Sequence, residues 1–101
     1  MPSTQNTAST VSFWINGRHA PATGSRHGTV TNSATGAVIR TVPFADDADV
    51  DAAVASARAA FPAWRATTPL RRARILMRFR DLLERRTDDV AAAITEEHGK
   101  T

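Results

Sequence analysis

Between Pro43 and Gly99 the chain has no glycine, and its apolar residues recur at the spacing of a helix face. That stretch is more than half of the 101 residues, so the second half of the chain must be helical. Val50, Ala53, Val54, Ala57 and Phe61 follow the i, i+3, i+4, i+7, i+11 pattern of one buried stripe. Asp46 supplies an N-cap, and Asp47, Asp49 and Asp51 complement the positive end of this helix. That explains the acidic cluster without a cation site, which would want glycine or carbonyl ligands between the acids. Pro62 is expected to stop the helix, with Trp64 folding back onto it.

Thr68 and Pro69 open a second helix as N-cap and first-turn proline. Ala73, Leu76, Phe79 and Leu83 form its inward stripe, widened by Leu70, Met77 and Leu82. Arg71, Arg74, Arg78, Asp81 and Arg85 mark the wet side. Thr87-Asp88-Asp89 reads as a second cap, which predicts a kink or restart. Val90, Ala93 and Ile94 then point inward as far as His98, and Gly99 is a C-terminal stop.

Before Pro43 the signals are those of hairpins. Asn16-Gly17, between Phe13-Trp14-Ile15 and Arg18-His19-Ala20, is the dipeptide of a type I′ turn, which needs positive φ at both central residues. Thr29-Val30-Thr31 and Ala37–Val42 read as strands about the turn Asn32-Ser33-Ala34-Thr35-Gly36. Arg40 lies on the same side as Val38 and Val42, so exposed or edge strands are expected. Strands followed by helices suit an α+β fold or the leading edge of an α/β domain.

Composition then limits what this architecture can bury. Nineteen residues are alanine, and Val, Ile, Leu and Phe together also number nineteen. This is close to the floor at which a private core offsets chain entropy. A segment of something larger is expected, loosely packed or aggregating on its own. There is no cysteine, hence no disulfide, thiolate metal site or cysteine nucleophile. No apolar run approaches membrane-spanning length, and Met1–Thr10 lacks the features of a signal peptide. Residues 1–12 read as a disordered leader and the chain as cytoplasmic.

The net charge of +3 hides a −3 segment over residues 46–60 between two +3 flanks. Arg71-Arg72-Ala73-Arg74, with Arg78 and Arg80, could face solvent, meet nucleic acid or capture a phosphate or carboxylate. Nearby acids favour the solvated face, and no aromatic residue interleaves for base stacking. His19, His27 and His98 share no metal-ligand spacing. No serine sits in a nucleophile elbow, and Gly99-Lys100-Thr101 lacks the first glycine of a phosphate loop. From the residues alone the chain is scaffold, with no catalytic, cofactor-binding or metal-binding side chain.

The order of its pieces resembles the start of aldehyde dehydrogenases. Trp14-Ile15-Asn16-Gly17 is followed by Val30-Thr31-Asn32-Ser33-Ala34-Thr35-Gly36-Ala37-Val38-Ile39 and by Asp49-Val50-Asp51-Ala52-Ala53-Val54. Ala59-Ala60-Phe61-Pro62-Ala63-Trp64, Pro69-Leu70-Arg71-Arg72-Ala73-Arg74-Ile75-Leu76 and Leu82-Leu83-Glu84-Arg85-Arg86 complete the series. Within the superfamily, Ile94-Thr95-Glu96-Glu97-His98-Gly99-Lys100-Thr101 looks most like the CoA-acylating methylmalonate-semialdehyde branch, with which Phe79-Arg80 and Leu82-Leu83 agree. Ser33 departs from the pattern, which usually has proline there.

The resemblance implies an α/β fold. Edge hairpins and two helices over residues 13–101 would form the N-terminal part of an incomplete Rossmann-type NAD-binding domain. It implies a parent enzyme in which a cysteine thiolate attacks the aldehyde, hydride passes to NAD and the acyl group leaves on CoA. Methylmalonate semialdehyde or malonate semialdehyde would be the substrate, with CO2 lost. The catalytic and nucleotide-binding residues would lie beyond Thr101, and the 101 residues alone would be inactive. Some members hold a structural cation with carbonyls near Val30 and Thr31, whose other ligands are missing here. The parent would be a homo-oligomer without nucleic-acid or membrane partners. NAD and CoA are not expected to bind residues 1–101 alone. A non-acylating branch is the alternative, and a small non-enzymatic interaction or nucleic-acid-binding module is the second.

Overall fold

The computed structural model describes residues 9–101. Strands β1 (Ser9–Thr10), β2 (Phe13–Ile15), β3 (Arg18–Ala20), β4 (His27–Thr31) and β5 (Val38–Pro43) come first. Helices α1 (Asp47–Ala66), α2 (Pro69–Arg85) and α3 (Thr87–His98) follow. The expected leader over residues 1–12 therefore carries a strand near its end; residues 1–8 lie outside those described.

β2 and β3 form an antiparallel hairpin pairing Phe13 with Ala20, Trp14 with His19 and Ile15 with Arg18. Asn16 and Gly17 take φ of 56° and 73°, the left-handed pair that a type I′ turn requires. β4 and β5 form the second hairpin, and β1 joins β5 in parallel to make a three-stranded sheet of order β1-β5-β4. In the β4–β5 turn Asn32 Oδ1 accepts from the N–H groups of Ala34 and Thr35, and Gly36 closes the loop at φ 72°.

α1 does not stop at Pro62. Proline in a helix interior gives up one hydrogen bond to the preceding turn, and the helix continues around it to Ala66. Termination comes at Thr67, whose N–H reaches the carbonyls of Ala63 and Trp64 while its hydroxyl donates to Ala63 O. Trp64 therefore lies in the last turn, 44% exposed, and does not fold back.

Thr68 caps α2 by accepting from Arg71 N–H at 3.3 Å, with Pro69 in the first turn. The expected restart divides the second half into three helices where the sequence suggested two. The junction is Arg86, at φ −112° and ψ 23°. Thr87 is already helical, and its hydroxyl donates back to Leu83 O and Glu84 O instead of capping forward. Gly99 ends α3 at φ 76°.

The helical stripes do not turn inward. Among the described residues no apolar side chain is buried, and Asp49, 6% exposed, is the only buried residue. Val50, Val54 and Phe61 on α1 are each more than half exposed, as are Leu76 and Phe79 on α2. The cause is the arrangement: α1 touches β2 and α2 touches α3, with little contact between α1 and α2. The radius of gyration is 18.0 Å, against about 13 Å for a compact domain of this length.

A chain with this burial should unfold without a sharp transition. Phe79→Ala and Arg78→Ala should then each change the stability of the 101-residue chain by about 1 kcal/mol or less. A loss of about 3–5 kcal/mol for Phe79→Ala in denaturant melts would show a covered α2 face.

Candidate functional site

The densest polar cluster lies where the loop after β3 meets the start of α1. Asp49 sits in the first turn of α1, and its Oδ2 accepts from Asp46 N–H at 3.0 Å. Thr23 N–H donates to Oδ1 at 3.0 Å and to Oδ2 at 3.4 Å. Asp46 meanwhile pairs with Arg26 at 2.7 Å, and Arg26 also donates to Ala45 O at 3.2 Å. Donation from the Asp46 backbone, helped by Thr23 and opposed by desolvation, holds the Asp49 carboxyl below the usual carboxylate range. Its oxygens are thus occupied by the chain's own backbone, which suits a structural joint. No described group of His, Cys, Asp and Glu side chains is arranged to hold a metal ion.

A second cluster joins Ser12 and His19, whose Oγ and Nδ1 share a hydrogen bond of 2.7 Å. Trp14 packs edge-on against the His19 ring with centroids 4.9 Å apart. Serine beside histidine suggests nucleophilic catalysis, but a working pair needs an acid to orient the imidazole and donors for an oxyanion. No described acid hydrogen-bonds His19, so the cluster supports the hairpin. His27 Nδ1 meets Ser25 O at 3.1 Å, and His98 lies in the last turn of α3.

The third cluster links the sheet to α3. Arg40 reaches Glu96 at 2.9 Å and Glu97 at 3.5 Å, and Glu96 holds the Arg40 guanidinium more firmly protonated. This accounts for an arginine where the strand pattern asked for an apolar residue. Ser33 Oγ donates to Glu97 O at 3.0 Å, a bond the usual proline could not make. In the arginine-rich face of α2, the described ion pairs are those of Arg80, with Asp81 at 3.4 Å and Glu84 at 3.8 Å.

These residues do not make a dinucleotide cradle, which needs an open glycine-rich turn at a helix N-terminus. The α1 N-terminus is occupied by Asp46 and Asp49. A Cβ at Gly24 would collide with the Asp46 carboxylate, and one at Gly28 would meet the Phe44 ring at 2.9 Å. Those glycines make room for the protein itself.

The sequence reading assigned no site residue. It missed the long-range bonds of Thr23, Arg40 and Ser33, for which the broken alternation at Arg40 was the only local signal.

With this geometry of hairpins, capped helices and open helical faces, the comparison with known proteins is direct. Residues 19–101 match the aldehyde dehydrogenase family, and the chain belongs to that family. It is 46% identical over 92 residues to a malonate-semialdehyde dehydrogenase of Pseudomonas aeruginosa, a match covering 91% of this chain and 18% of that protein. The human acylating methylmalonate-semialdehyde/malonate-semialdehyde dehydrogenase, a mitochondrial protein, is 39% identical over 92 residues, covering 91% and 17%. A Sinorhizobium meliloti structure assigned as methylmalonate-semialdehyde dehydrogenase and complexed with NAD superposes with a TM-score of 0.89. It is 41% identical and covers 93% of this chain and 19% of that one. The chain thus spans about a fifth of the length of the relatives it matches.

If Asp49 is the joint, its contribution follows its charge. The lowered pKa means the joint is at full strength above the ordinary carboxylate value of about 4, and is lost as pH falls below it. The amides of Thr23 and Asp46 should therefore lose exchange protection on acidification, and Asp49→Asn should remove that pH dependence. Unchanged titration of the two amides in the Asn variant, followed by NMR, would place the charge elsewhere.

Proposed function

We propose that residues 13–101 form the N-terminal part of the NAD-binding domain of a CoA-acylating semialdehyde dehydrogenase. The enzyme would act on methylmalonate or malonate semialdehyde with NAD and CoA. The observation that carries this reading is the agreement with the NAD-complexed Sinorhizobium structure at 41% identity and a TM-score of 0.89. The names of the Pseudomonas and human relatives supply the substrate class. The 101 residues contain no cysteine and no dinucleotide cradle among those described. The thiolate that attacks the aldehyde and the groups that hold NAD would therefore come from residues outside this segment.

The part assigned to the segment is structural. Its hairpins and capped helices present apolar faces that the remaining domain would cover, and burial of those faces would stabilise the enzyme. The whole enzyme is taken as a homo-oligomer. The second reading keeps the family and releases the acyl group to water; the acylating relatives favour the first. A cytoplasmic location is part of this reading, and no described helix is long and apolar enough to cross a membrane.

Two measurements test this. The purified 101-residue chain should form no NADH from malonate semialdehyde with or without CoA, and turnover above a boiled control would contradict the reading. In the Pseudomonas relative, replacing the matched segment by residues 13–101 should preserve CoA-dependent NADH formation. A folded chimera without that activity would overturn the assignment.

A further inference from the structure

We propose that α3 is a hinged strap, held against the β4–β5 hairpin by an ionic latch at Arg40 and released when salt screens that latch. The hinge is Arg86, the single residue between α2 and α3, at φ −112° and ψ 23°. Its N–H still reaches the carbonyls of Leu82 and Leu83, and its carbonyl accepts from Val90 N–H. Phe79, Leu82, Leu83 and Val90 line one cleft beside it, so the first turn of α3 stays with α2. The far end is held differently. Glu96 is half-buried, and every other residue of α3 is exposed.

The last turn of α3 is a closed hook. Gly99 N–H donates to Thr95 O at 2.8 Å, and Thr95 Oγ1 donates to Lys100 O at 2.6 Å. The hairpin grips this hook with Ser33 Oγ on Glu97 O at 3.0 Å and with Arg40 on Glu96 and Glu97 at 2.9 and 3.5 Å. A hydroxyl donor and a cation suit a helix C-terminus, where carbonyls are free and the dipole is negative. Glycine at position 99 permits the approach, since a Cβ there would stand 3.3 Å from Ser33 Oγ.

Arg40 is the only lysine, arginine, aspartate or glutamate in β4 and β5, so one cation answers both carboxylates. The side chains of Arg40 and Glu96 are 30 and 37% exposed, which leaves the pair open to water and salt. Ion pairs of this exposure contribute little singly and weaken as ionic strength rises. A helix end docked through such contacts, with no apolar residue covered, exchanges between held and released positions. Screening shifts that balance toward release. Latch, hook and hinge all lie within the 101 residues, so the inference needs no open helical face and does not depend on the enzymatic reading.

The chain has no cysteine, so Ala34→Cys and Ala92→Cys place one spin label on the hairpin turn and one on α3. The distance between them is read by electron double resonance in the intact chain. A narrow distribution is expected in about 0.01 M salt, where the screening length is about 30 Å. In about 1 M salt, where it falls to about 3 Å, the width should grow about twofold or more with the helical circular dichroism unchanged. Arg40→Glu should broaden the distribution already at low salt, and Arg40→Glu with Glu96→Arg should narrow it again. A distribution that is broad at low salt, one that stays narrow at high salt, or one indifferent to Arg40→Glu would overturn the proposal. So would a reversed pair that folds without restoring the narrow distance. The salt comparison alters no latch residue, so it decides the matter even where a variant fails to fold.

Discussion

The carboxylate of Asp49 ties the β-rich and helical halves of the chain together. It stands in the first turn of α1, yet one of its backbone donors, Thr23, belongs to the loop after β3. A helix N-terminus has unsatisfied N–H groups, and an acid there is ordinarily answered by its own helix. Here the same acid also fixes the loop, so the β2–β3 hairpin is held against α1. Asp46 and Arg26 add an exposed pair beside it, of the kind that contributes little alone. The buried, backbone-satisfied carboxylate is the stronger constraint, because losing it would leave N–H groups without acceptors.

Local structure was legible to the extent that it depends on local chemistry. Asn16-Gly17, Asp46, Thr68-Pro69, Gly36 and Gly99 announce turns and helix ends through steric and hydrogen-bonding preferences of a few adjacent atoms. Pro62 misleads because a proline removes one bond from a helix whose other bonds remain, and the nearest full set of stop signals is Thr67 to Pro69. Thr87 misleads because a threonine hydroxyl can satisfy a preceding carbonyl as readily as a following N–H. The apolar stripes were identified by period, but period says which residues share a face and nothing of what covers it. The links made by Ser33, Arg40 and Thr23 join residues far apart in sequence, where no window of composition reaches.

This division matters for how the chain sits within its family. Residues 19–101, which match the aldehyde dehydrogenase family, fold into strands, turns and three helices, and these specify a framework. The 101 residues contain no cysteine. The open stripes are where the next layer of structure has to act, whether that layer is more polypeptide or another molecule.

Ser33 has a kinetic side. Its bond to Glu97 and the Arg40–Glu96 pair close loops of 64 and 56 residues. Closing a long flexible loop costs entropy that grows with the logarithm of its length, and only a few polar bonds, exposed or half-buried, return it here. Such contacts form late in folding, after the hairpins and the individual helices have assembled from near neighbours. The end of α3 is therefore the last part of the chain to find its place. Until it does, the Ser33 hydroxyl stays open to water in place of Glu97 O.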